Sequence, residues 1–125
     1  MREPPVITVK PQAQLQVPTG RPVSLSCMVT GAPKPAVYWT HENAEKEMVM
    51  IMPGTRHKNM YVASDNALKI EEPSFENSGH YSCSALNDVG SALARSHLVI
   101  YDPSDFAHQN ETTSAHEKSY KIGEY

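Results

Sequence analysis

Apolar and polar residues alternate in short runs along most of this chain. Val23, Leu25, Cys27 and Val29 alternate with Ser24, Ser26 and Met28. That two-residue period predicts a strand with its odd positions turned inward. Val6 to Lys10 reads as a first strand stopped by Pro11. Leu15 to Val17 resumes it and pairs on the edge of the other sheet, where proline is tolerated. Val37 and Trp39 form the next inward pair, with Tyr38 and Thr40 facing out. Met48-Val49-Met50-Ile51-Met52 is an unbroken apolar run ended by Pro53, and Asn59 to Ala63 reads as a short edge strand. Leu68 and Ile70, then Tyr81, Cys83 and Ala85, then Ala92, Ala94, Ser96, Leu98 and Ile100 supply the remaining inward positions. No segment shows helical spacing.

Turn chemistry separates these runs. Thr19-Gly20-Arg21-Pro22, Gly31-Ala32-Pro33-Lys34-Pro35, the charged stretch Glu42 to Glu47, Gly54-Thr55, Asp65-Asn66 and Asn87-Asp88-Val89-Gly90 all read as loops. Pro73 to Gly79 crosses into the strand of Tyr81, with Phe75 expected to plug the bottom of the core. The predicted fold is all-β, a sandwich of two antiparallel sheets spanning residues 6–101. Beyond Tyr101 the chain turns polar, with scattered Ser, Thr, His and Glu. Such a segment buries too little surface to offset its ordering entropy. Residues 102–125 are therefore expected to be a disordered, flexible linker or tail.

With 125 residues and 39% hydrophobic content, the chain can fill one modest core but not two. A formal charge of −3 gives no general reason to expect nucleic acid or an anionic membrane as partner. No apolar run approaches a membrane span, so no direct membrane insertion by this fragment is expected. Nothing reads as a signal peptide, and the chain is expected to be a piece of a larger protein.

Asn77-Ser78-Gly79-His80-Tyr81-Ser82-Cys83 carries a further signal. A tyrosine two residues before a cysteine folds its hydroxyl back to the backbone at a strand corner. Together with Cys27 and Trp39, this order resembles the intermediate-set (I-set) immunoglobulin domains of cell-surface receptors and of giant muscle proteins. Pro18-x-Gly20, Gly31-x-Pro33-x-Pro35, Leu68-x-Ile70 and Gly90-x-Ala92 match as well. The resemblance implies an immunoglobulin-like sandwich with Trp39, Leu68 and Tyr81 as its core signature. It also implies a Cys27–Cys83 disulfide, whose closed loop would stabilise by roughly 4 kcal/mol in the chain-entropy treatment. Two buried free thiols, as in an intracellular relative, are the alternative. One position departs from the family: Asn77 stands where relatives carry an aspartate paired with an arginine. Arg56 is the matching arginine, and Asn77 is expected to accept its hydrogen bond without charge assistance.

Pro35-Ala36-Val37-Tyr38-Trp39, the Met-rich run and Cys83 to Ser91 are similar to the fourth immunoglobulin domain of roundabout-type axon-guidance receptors. The polar tail is a departure, because that family passes to its next domain through a short linker. The resemblance implies non-catalytic protein–protein recognition or adhesion in axon guidance, in the extracellular part of a membrane protein. It also implies receptor self-association, with a homodimer joined by an exposed sheet edge or the Met run. The rival is a structural domain of an intracellular muscle or cytoskeletal scaffold, and a third reading is a secreted protein that binds a hormone or growth factor.

Candidate chemistry is sparse. Met48, Met50 and Met52 form the best interface candidate, because methionine adapts to varied partner surfaces. Against this, Val49 and Ile51, or the Met set itself, would simply close the core edge. Asn110-Glu111-Thr112 is an N-glycosylation acceptor pattern. Arg56-His57-Lys58 is a small basic patch that would suit heparan sulfate, or is just a solvated loop. The six histidines lack zinc-site spacing. His41, His57, His80 and His97 are expected to face solvent, and His108 and His116 lie in the tail. No nucleophile elbow, phosphate loop or Ser–His–Asp set is present, and neither cofactor nor metal is expected.

Overall fold

The computed structural model describes residues 1–105. Their strands are β1 (Glu3–Val9), β2 (Gln14–Pro18), β3 (Val23–Leu25), β4 (Met28–Ala32), β5 (Ala36–Glu42), β6 (Met48–Ile51), β7 (Arg56–His57), β8 (Met60–Val62), β9 (Leu68–Ile70), β10 (Gly79–Leu86) and β11 (Ser91–Tyr101). One layer is five-stranded, in the order β2-β11-β10-β5-β6. The other is four-stranded, β3-β9-β8-β7, and β1 pairs separately with β4.

The expected sandwich is present, with differences at its edges. The continuous strand expected over Val23 to Val29 is broken at Ser26 and Cys27. Its first part pairs β9 and its second part pairs β1. The break at Pro11 has the same effect on the first strand, as its position suggested. β1 stays with β4, while β2 crosses to β11 and pairs it in parallel, the one parallel ladder between named strands. Asn59 to Ala63 was expected at an edge. Instead β8 lies inside its sheet, and the short β7 forms the border.

Strand parity decides burial. Val23, Leu25 and Cys27 from one side, and Val37, Trp39, Tyr81, Cys83, Ala85, Leu98 and Ile100 from the other, enter one core with Leu68, Ile70, Met60 and Val62. Each fully buried large side chain of this kind contributes about 1.5–3 kcal/mol by leaving water. Cys27 and Cys83 are joined by a disulfide at its centre. Trp39 is wholly buried, and its indole N–H donates to the Asn66 carbonyl at 2.8 Å, so its one polar atom is satisfied. Phe75 departs from expectation. A single 3-10 turn, Phe75–Asn77, turns Asn77 inward and leaves Phe75 59% exposed, so it does not plug the core. Most of the expected tail, including Asn110, His108 and His116, lies outside the described residues.

Candidate interaction site

The corner that joins the sheets is built from the Pro73–Gly79 crossing. The Tyr81 hydroxyl donates back to the Asn77 carbonyl, as the spacing predicted. Burial pushes the Tyr81 phenol well above its ordinary value, against the opposing pull of the Asn77 bond. The Asn77 side chain does not meet Arg56. It exchanges hydrogen bonds with Asn59, at 2.8 and 3.2 Å, and accepts from the Ser74 N–H at 2.9 Å. Arg56 turns to Glu71 instead, in a two-pronged pair at 2.9 and 3.2 Å, and lies over the Tyr61 ring. That pairing holds the Glu71 carboxyl below its ordinary value. The expected family tie is thus replaced by two separate ones. β7 pairs β8 and β8 pairs β9, so Arg56 reaches the end of β9 before it reaches the crossing. With Arg56 paired to a carboxylate, half of the patch's formal positive charge is offset, which favours the solvated-loop reading.

His41 departs from expectation. It was expected in solvent but is only 5% exposed. Its Nε2–H donates to the Ser78 carbonyl at 3.1 Å, and its ring stacks on Tyr81 with centroids 4.2 Å apart. Burial holds this imidazole below its ordinary value of 6.5, with the Ser78 bond opposing and His57 adding to the effect. The alternation Val37, Trp39, His41 carried the signal, because all three share the inward parity of β5. His80 and His97 do face solvent, stacked on each other across β10 and β11. Among the described residues no group of three or more His, Cys, Asp or Glu side chains is placed to hold a metal ion.

The Met run divides by parity. Ile51 is buried and Val49 is half-buried against the core. Met48, Met50 and Met52 point outward, 64%, 56% and 43% exposed. So Val49 and Ile51 close the core edge, and the methionines are free of that duty. β6 pairs only with β5, and its other edge carries no partner strand among the described residues. No charge or proline lies within the four residues of β6, and Pro53 closes the apolar run just beyond it. Beside it a cleft opens between β5, β6 and the β7–β8 turn. Its floor is His41, Asn77 and Met60, and Glu45, Glu47, Glu76 and Lys58 stand around it. No described helix is long and apolar enough to cross a membrane.

The sequence family described as "Immunoglobulin domain" matches residues 4–87. Roundabout homolog 1 of Mus musculus is 31% identical over 82% of this chain. Neuronal cell adhesion molecule of Rattus norvegicus is 32% identical over 87% of it. The chain spans only 6% and 8% of those two proteins. Among solved structures, titin domain M7 superposes with a TM-score of 0.65 at 22% identity, covering 81% of this chain and 97% of that one. That likeness speaks for the fold alone. The corner, the buried tryptophan, the central disulfide and the match over most of the strands agree: this chain belongs to the immunoglobulin domain family.

Proposed function

We propose that this chain is a non-catalytic recognition domain in the extracellular part of a cell-surface receptor, acting in adhesion or axon guidance. Its partner is a protein, a second copy of the domain in the first instance, engaged through the open edge of β6. The observation that carries this reading is the outward set Met48, Met50 and Met52 on and just beyond an edge strand with one open side. Exposed apolar groups of this kind mark interaction sites. The relatives support the setting, since one is named a cell adhesion molecule and another a roundabout protein. A glycan on Asn110 belongs to the same reading. The scaffold alternative draws on the shared fold of titin M7. It would leave the cysteines reduced and give the Met edge no partner.

Sedimentation equilibrium of the wild-type chain and of a Met48→Ala/Met50→Ala/Met52→Ala variant tests the reading. A monomer–dimer equilibrium that the variant weakens at least tenfold, at unchanged unfolding midpoint, is the expected result. Wild type that stays monomeric at high concentration sinks the self-association reading.

A further inference from the structure

We infer that His41 makes the β6 edge acid-sensitive: charging its buried imidazole loosens the end of the five-stranded sheet on which β6 hangs. The register makes the connection. Among the described residues β6 pairs with β5 alone, and its first two rungs are Met48 opposite Glu42 and Val49 opposite His41. On its other side His41 is opposite Tyr81 of β10. One side chain therefore sits at the joint between the corner and the open edge.

The packing around the ring leaves little room for it to escape. A β-carbon on Gly79 would come within 3.1 Å of the His41 Nε2. Tyr81 covers one ring face, and the Ser78 carbonyl takes the one N–H bond. Titratable and charged groups face it from each neighbouring element. Tyr81 comes from β10 and His57 from β7, and Lys58, Glu45, Glu47 and Glu76 stand around the cleft. The three carboxylates are on exposed residues, where water weakens their attraction for a buried cation. On the opposite face of the sheet, Glu42 is beside His80, which stacks on His97.

The sign follows from burial. The folded state holds His41 below 6.5, foremost by desolvation, while the unfolded chain keeps the ordinary value. The unfolded or locally opened state thus takes the proton first. Above that value nothing is lost. As pH falls through it, the closed-to-open ratio falls by up to tenfold per pH unit, until the folded state is itself protonated. Histidine is the side chain suited to a response between pH 5 and 8. If the Met edge is the binding surface proposed above, the same proton weakens binding in acidified compartments.

Hydrogen exchange of the full chain, read by mass spectrometry at about pH 7 and about pH 5 and corrected for intrinsic exchange, tests this. The variants are His41→Phe, which keeps an aromatic ring on Tyr81 and removes the titration, and His80→Gln/His97→Gln. Protection of Met48–Ile51 is expected to fall selectively, by more than that of Leu68–Ile70, in wild type and in the double variant. In His41→Phe the two segments are expected to respond alike. A wild type with no selective acid loss, or a His41→Phe variant that keeps it, overturns the inference. A double variant that abolishes the response moves it to the outer pair and also overturns it. Should His41→Phe fail to fold, His41→Gln, which retains a donor for Ser78, takes its place with the same criteria. Sedimentation at both pH values separates the readings. Selective acid loosening without association at either pH keeps this inference and removes the Met-edge interface.

Discussion

Gly79 opens β10 with φ at +140°, a conformation that L side chains rarely adopt. A β-carbon there would enter the space of the Glu42 carbonyl oxygen and lie 3.1 Å from the Glu42 carbonyl carbon and from the His41 Nε2. Gly79→Ala therefore carries two costs. The backbone conformation costs about 1–2 kcal/mol for a residue with a β-carbon. The collision is with backbone of a paired strand, so β5 or β10 must shift, and overpacking of this kind costs about 1–3 kcal/mol. The sum is about 2–5 kcal/mol, a large share of the roughly 5–15 kcal/mol that holds such a domain folded. Gly20→Ala is the matched control. Gly20 also has positive φ, +84°, yet nothing lies within 4 Å of its β-carbon position. It should lose about 1–2 kcal/mol, from conformation alone. Urea unfolding followed by Trp39 fluorescence reads both, with an unchanged slope as the condition for comparison. A difference between the two variants below about 0.5 kcal/mol would refute the claim that close approach of Glu42 and His41 is what excludes a side chain at Gly79.

Two further changes probe the ties around this corner. Replacing Cys27 and Cys83 together by alanine should cost about 4 kcal/mol, from a loop of sequence separation 56 released in the unfolded chain. A loss below about 1 kcal/mol in urea would show that the cross-link contributes little. Asn77→Ala strips partners from the Asn59 side chain and the Ser74 N–H, and should cost about 2–3 kcal/mol. In a double-mutant cycle with Asn59→Ala, a coupling near zero would show that the two asparagines act independently.

The core was legible because its rules are local. Period-two alternation placed Cys27, Trp39, Tyr81 and Cys83 inward, and the structure buries all four. The same parity separated Ile51 from Met48, Met50 and Met52, although the unbroken apolar run had left two assignments open. His41 follows the inward parity of β5 against the polar character of its side chain. A histidine reads as polar, yet a single N–H with one carbonyl partner and a stacking ring is easily buried. Phe75 failed in the opposite sense, since a 3-10 turn has neither the strand period nor the length to signal which side faces in. The Arg56 tie was out of reach because it depends on how β7, β8 and β9 register, a non-local outcome. The edges were likewise hidden, because β2 and β6 reveal their unpaired sides only once the strand order is known.

The most direct measurement is the thiol and glycan state of the protein isolated from its native cells. Alkylation before lysis, then intact mass with and without reduction and glycosidase, reads Cys27, Cys83 and Asn110 together. An extracellular recognition domain predicts that neither cysteine is alkylated until the disulfide is reduced, and that glycosidase removes mass from the segment bearing Asn110. Two freely alkylated cysteines and no glycan would contradict it and place the domain in an intracellular scaffold.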